Sequence, residues 1–189
     1  KSAFEFSEKE FGHCTIMVAA AGIALYTDYL SMGEKDMDRT IAVNLKGPLL
    51  CAQESLRQME KAGKGSIIFI SSVQAVMSLF GCVVYAATKS GLIAAARTLA
   101  LETGKMGVRV NTISPGTIDT PMLDRDLASM NREEAAKFLE KVKAANVLGR
   151  IGKPSEIADA VMYLSSPKAS YVTGIDLRVD AGFAALKNI

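Results

Sequence analysis

Apolar and polar positions along these 189 residues alternate between two kinds of segment, short unbroken apolar runs and longer stretches with apolar residues three or four apart. The first run, Cys14-Thr-Ile-Met-Val-Ala-Ala20, ends near Gly22 and predicts a strand buried on both faces of a parallel sheet. From Asp36 to Lys61 the residues Ile41, Leu45, Leu49, Ala52, Leu56 and Met59 recur at helical spacing, closed by Gly63 and Gly65. Asn44 falls inside that pattern. Further strands are expected at Ser66 to Ser71, Val108 to Ile113 and Gly174 to Val179, with a helix from Val83 to Thr103. Pro115-Gly116 breaks the chain, Asn131-x-x-Glu134 reads as a capping box for a helix to Ala145, and Pro154 suits a helix start.

Four strands with intervening helices imply an α/β chain with a parallel sheet and right-handed crossovers throughout. In open sheets of this kind ligands bind beyond the carboxyl ends of the strands, where Gly22, Ser72 and Pro115-Gly116 would lie. The length and the 49% apolar content suit one compact core, so residues 1–189 read as a single domain. With 22 basic and 20 acidic residues interspersed, the net charge of +2 favours a small-molecule partner over a nucleic acid or a membrane surface. Cys14, Cys51 and Cys82 are odd in number and lack metal-ligand spacing. They read as small buried hydrophobes in a reducing, cytoplasmic compartment, with no metal site expected. No apolar run is long enough to span a bilayer and Lys1 opens no signal-like segment. His13, just before the first strand, suits a surface or helix-end role.

Tyr85 and Lys89 stand four apart in the helical stretch, which stacks them on one face. An ammonium beside a phenol favours phenolate, so Lys89 is expected to lower the Tyr85 pKa from about 10 and make it a general acid or base. Ser72, thirteen positions before the tyrosine at a strand end, can hold a substrate carbonyl oxygen while Tyr85 exchanges its proton.

These residues stand in a context that resembles the short-chain dehydrogenase/reductase family. The resemblance is carried by Ala21-Gly22-Ile23, Asn44-Leu-Lys-Gly47, Ile70-Ser-Ser72, Tyr85-Ala-Ala-Thr-Lys89, Arg109-Val-Asn-Thr-Ile-Ser-Pro-Gly116, Val172-Thr-Gly174 and Asp180-Ala-Gly182, in that order. It implies a Rossmann-like, doubly wound parallel sheet and an oxidoreductase that interconverts an alcohol and a ketone with NAD or NADP. Asn44, Ser72, Tyr85 and Lys89 would form the catalytic set, with Asn44 holding a proton-relaying water. Ala19, Gly22, Tyr85, Lys89, Pro115, Gly116, Ile118 and Thr120 would bind the cofactor, Lys89 through the nicotinamide ribose and Ile118 and Thr120 through the carboxamide. Ser72, Gln74 and Tyr85 would meet the substrate, with Gln74, Met77, Cys82 and the segment after Thr120 marking where specificity resides. The resemblance further implies a homo-oligomer, a dimer or tetramer, paired through the two long helices.

No glycine-rich strand-turn-helix able to cradle a pyrophosphate occurs in the chain. The sequence therefore looks like the C-terminal portion of such an enzyme, beginning after its first three strands. In that case the Cys14 strand becomes an exposed apolar sheet edge, a pairing hazard. The alternative is a noncatalytic remnant or interaction subunit that lost dinucleotide binding. Ala19-Ala20 replaces the family's paired asparagines, and Asp180-Ala-Gly182 replaces the commoner Asp-Gly-Gly.

Overall fold

A computed structural model of the chain describes residues 2–185. Four strands, β1 (Ile16–Ala19), β2 (Gly65–Ile70), β3 (Val108–Pro115) and β4 (Asp176–Val179), form one parallel sheet in the order β1-β2-β3-β4. The helices are α1 (Ser2–Phe11), α2 (Glu34–Ile41), α3 (Gly47–Ala62), α4 (Val83–Thr103), α5 (Pro121–Ala128), α6 (Arg132–Ala145) and α7 (Pro154–Ser165). This is the expected α/β architecture, with helices on both faces of the sheet.

The two faces are divided by the pleat of β2. Ile67 and Phe69 join Met17, Val108 and Val110 in a core closed by Ala52 and Met59 of α3 and Leu92 and Ala96 of α4. Ile68 and Ile113 face the other way, against Leu164 of α7 and Ala169. Ile67, Ile68 and Phe69 are fully buried, each contributing about 1.5–3 kcal/mol by removal from water. Because side chains alternate along a strand, both helical layers are anchored by consecutive residues.

That arrangement corrects the expectation of uniformly right-handed crossovers. The strands are laid down in one direction, yet α3 and α4 cover one face and α7 the other. The β3 to β4 connection therefore has the opposite hand to the first two. It is also the longest, carrying α5 and α6 before α7. A short crossover is held to one hand by strand twist; a chain this long can pass around the sheet end.

The first strand also departs from expectation. Only Ile16–Ala19 pair with β2, and only Met17 is buried. Ile16 and Val18 are exposed, on the face where α7 packs mainly against β2, β3 and β4. Among the described residues β1 is thus an apolar sheet edge, as anticipated. The helix expected from Asp36 to Lys61 begins at Glu34, and Ala42–Lys46 are wound as a π-turn between α2 and α3. Gly63, with φ 64°, ends α3 in the left-handed conformation that glycine adopts without strain. Helices α4 and α6 begin and end as expected, α6 with both arms of its capping box made by Asn131 and Glu134. Helix α1 was not foreseen; it is tied to α3 by Gln58 donating to the Phe4 carbonyl and by the Glu8–Lys61 ion pair.

His13 pairs with Glu8 at 2.9 Å on the surface. Of the cysteines only Cys82 is buried; Cys51 is exposed and Cys14 half-buried, so the buried-hydrophobe reading holds for one of three. No helix among the described residues is long and apolar enough to cross a membrane, and no group of three potential metal ligands occurs among them.

Candidate active site

The parallel strands bring the loops after β1, β2 and β3 to one edge, and the predicted catalytic residues meet there. Ser71 and Ser72 end β2 and diverge. Ser71 donates its hydroxyl to the Lys89 carbonyl at 2.9 Å, pinning the strand end to the α4 backbone. Ser72, in extended conformation, accepts from the Gln74 amide and faces the Tyr85 phenol. Of the two adjacent serines, alternation along the chain turns Ser72, the one expected from the sequence, toward the phenol.

One turn along α4 from Tyr85, Lys89 is buried to 4% exposure. Its Nζ lies 5.6 Å from the Tyr85 ring centroid and donates to the Ile70 carbonyl at 2.8 Å. Burial costs an ammonium its hydration, and the Lys89 pKa falls from 10.5 to about 8. Tyr85 does not follow the expected direction. Burial raises its pKa, the Ser72 hydrogen bond opposes that rise, and the negative forms of Cys82 and Asp126 reinforce it. The expected lowering by Lys89 fails because the ammonium points at a carbonyl and the phenol is largely desolvated. The phenol is therefore held in its protonated, proton-donating form.

Asn44 sits in the π-turn with no exposed surface. Its Oδ1 accepts from Ile23 N at 2.9 Å and its Nδ2 donates to Ile23 O at 2.8 Å, fixing the loop after β1. A π-turn is a common device at functional sites. Here it turns the Asn44 side chain inward, toward the catalytic edge. Gly22 lies between: a Cβ there would stand 3.4 Å from Lys89 Nζ and 3.6 Å from Asn44 Oδ1. Ala19 ends β1, half-buried, with Ala20 and Ala21 exposed beyond it.

Pro115, Gly116, Ile118 and Thr120 form a separate wall. Gly116 donates to the Val179 carbonyl, and a Cβ at Gly116 would come within 2.9 Å of Asp180 Cα. Ile118 bridges to Gly152, and Thr120 donates to the Ile118 carbonyl at 3.3 Å. No hydrogen bond joins this loop to Ser72, Tyr85 or Lys89 among the described residues. Gln74 is buried and accepts from Leu79 N through Oε1, so it shapes the β2–α4 loop. Met77 is half-buried on the same loop, whose last residue, Cys82, is buried with its thiol raised in pKa by burial.

Two residues near Tyr85 were missed. Tyr26, on the loop after β1, has its phenol pushed up by burial and then by Asp126, Tyr85 and Cys82. Asp126 belongs to α5. Neither sits in a motif; Asp126 falls in the segment after Thr120, where specificity was expected but a helix was not, and the fold of the Tyr26 loop had no local signal.

The comparisons with known proteins agree with this fold. The family described as Enoyl-(Acyl carrier protein) reductase matches residues 1–184. A (3R)-3-hydroxyacyl-CoA dehydrogenase of Rattus norvegicus is 38% identical over 89% of this chain, which spans 62% of that protein's length. The 3-oxoacyl-(acyl-carrier-protein) reductase of Thermotoga maritima is 37% identical over 96% of this chain and 71% of its own. Among solved structures, a gluconate 5-dehydrogenase from Burkholderia cenocepacia J2315, in complex with NADP and tartrate, superposes with a TM-score of 0.91 at 28% identity. It covers 98% of this chain and 71% of its own. The ligand-free aldohexose dehydrogenase of Thermoplasma acidophilum gives 0.93 at 31% identity, over 100% and 74%.

Proposed function

This chain belongs to the short-chain dehydrogenase/reductase family, and on that footing we propose that it interconverts an alcohol and a ketone with NAD or NADP. The observation that carries the reading is the convergence of the Ser72 hydroxyl, the Tyr85 phenol and the Lys89 ammonium at one sheet edge. The substrate carbonyl accepts from the Ser72 hydroxyl and the Tyr85 phenol, which polarises it toward an alkoxide. Tyr85, kept protonated by burial, gives its proton to that oxygen in reduction and takes it back in oxidation. Lys89, with a pKa near 8, resupplies protons in the physiological range. Asn44 is a positioning residue, holding Ile23 and the small-residue loop where the cofactor lies.

The residues fit the nicotinamide-ribose half of a dinucleotide. Ala19 to Gly22 present only methyls and a hydrogen, which permits close approach, and Lys89 supplies a cation against ribose hydroxyls. When bound, the nicotinamide supplies or accepts the hydride. Pro115, Gly116, Ile118 and Thr120 are assigned to its carboxamide by the family resemblance.

The groove between α3 and α4, about 910 Å³, supports self-association. Ile41, Leu45, Leu49, Leu50, Leu56 and Leu99 line it, an apolar surface suited to a second copy. The activity is tested by following reduced-cofactor absorbance with a panel of ketones, with Tyr85→Phe beside wild type. A fall of about 10²–10⁴-fold in kcat is expected. Turnover that survives Tyr85→Phe defeats the mechanism.

A further inference from the structure

Arg150 and Glu156, on either side of Gly152 in the chain, are joined by two parallel bonds, Nη1 to Oε2 at 2.9 Å and Nη2 to Oε1 at 2.6 Å. A surface ion pair ordinarily contributes little, because water and salt screen it and two long side chains must be ordered. This one differs in geometry. The guanidinium fork matches the carboxylate, and Oε2 also accepts from the Lys153 amide at 2.8 Å. Arg150 is held at its main chain as well, since buried Asn146 donates to its carbonyl at 2.7 Å. Arg150 and the Lys153 amide keep the Glu156 carboxyl at a pKa of about 2, so it stays ionised near neutral pH. Glu156 belongs to the first turn of α7, whose Leu164 is buried with Ile68 and Ile113 of the sheet. Its carboxylate thus fastens residues 150 and 153 to a helix that the sheet anchors.

Between those two residues lies Gly152. Its N–H donates to the Thr117 carbonyl and its carbonyl accepts from the Asp119 amide, both at 2.9 Å, a parallel bridge opposite Ile118. A trans peptide sets its C=O and N–H in opposite directions, so these two bonds turn the N–H and C=O of Ile118 away from Gly152. Among the described residues Ile118 N has no hydrogen-bond partner, and the Ile118 carbonyl accepts from the Thr120 hydroxyl. The close approach requires glycine: a Cβ on residue 152 would lie 2.5 Å from Ile118 Cδ1.

We propose that Glu156 is a positioning residue for cofactor binding: by clamping Arg150 and Lys153 it holds Gly152 as a splint behind Ile118 and so presents the Ile118 N–H to the cofactor. The inference rests on the oxidoreductase reading above, which assigns this loop to the nicotinamide carboxamide, and extends it to a side chain outside the loop. Ile118 N–H is a donor with no partner of its own, and a carboxamide oxygen is an acceptor. Holding the donor in place before binding spares the entropy of ordering the loop.

The test compares the intact protein with Glu156→Ala and Glu156→Gln, the second of which keeps a neutral oxygen for the Lys153 amide. Amide hydrogen exchange reads the splint: in Glu156→Ala the Asp119 and Gly152 amides are expected to exchange about tenfold faster, while those of Val110 and Thr112 in β3 keep their rates. Fluorescence titration with NADH and NADPH reads the consequence, a Kd raised about three- to tenfold, with the loss in turnover falling on the cofactor KM rather than on kcat. Glu156→Gln is expected to lie between Glu156→Ala and wild type in both measurements. Unchanged exchange at Asp119 and Gly152, or faster exchange with an unchanged Kd, overturns the proposal. If wild type binds neither NADH nor NADPH while exchange still responds to Glu156, the oxidoreductase reading fails, and the cofactor role of Glu156 with it.

Discussion

The carboxamide of Asn44 closes a two-bond bracket on the backbone of Ile23, at 2.9 and 2.8 Å, and so ties the π-turn before α3 to the loop after β1. Asn44 has no exposed surface and Ile23 is half-buried. Asn44→Ala leaves an amide and a carbonyl of Ile23 unsatisfied. It is expected to lower stability by about 2–4 kcal/mol in denaturant unfolding, and to weaken cofactor binding because the Gly22 loop is released. An unchanged unfolding midpoint would show that the bracket contributes nothing.

Lys89 sets function against stability. Unfolded lysine keeps its proton to about pH 10.5, whereas folded Lys89 releases it near 8. Between those values the unfolded chain binds more protons, so this residue's cost is complete below pH 8 and fades as pH rises through 10.5. Lys89→Met is therefore expected to be inactive yet more stable than wild type at pH 7. Its advantage should shrink toward pH 10, checked by urea unfolding at both values. A constant difference across that range contradicts the burial account.

Ser72 acts on the Tyr85 phenol in the direction opposite to burial. Alcohol oxidation needs the phenolate, so its rate rises with pH through the Tyr85 pKa. Ser72→Ala removes the opposing hydrogen bond and should move that rise to higher pH, besides lowering kcat. A kcat/KM profile against pH reads both, and a midpoint that stays or falls refutes the assignment.

Ala181 adopts φ 54°, the one positive value among the described non-glycine residues. It stands where a glycine would carry no Cβ penalty, and the turn is held by Asp180 accepting from Gly182 N and Ala184 N. Ala181→Gly is expected to raise stability by about 1 kcal/mol, seen as a higher thermal midpoint. No gain would mean that the greater freedom of glycine in the unfolded chain cancels the relieved strain.

How much was legible follows the range of the interactions involved. Helices α4 and α6 matched their expected bounds because their signals are local: a stretch rich in alanine for the first, a capping box for the second. Helix α1 has no such signal and is held by Gln58 and Lys61 of α3, more than forty residues away. The π-turn at Ala42–Lys46 is built from residues that also suit an α-helix; the Asn44–Ile23 bracket accompanies the extra residue in the turn. Tyr26 and Asp126 were missed for the same reason. Each is unremarkable beside its chain neighbours, and their relation to Tyr85 exists only across three elements.

By itself the sequence determined the alternation of strands and helices, the parallel sheet, and the stacking of Tyr85 on Lys89. These depend on periodicities of two and three or four residues that the chain carries in every context. Packing alone set the direction in which the Tyr85 pKa moves, the hand of the last crossover and the π-turn that carries Asn44. Those outcomes depend on burial and on contacts between distant segments, which come into being only when the layers pack.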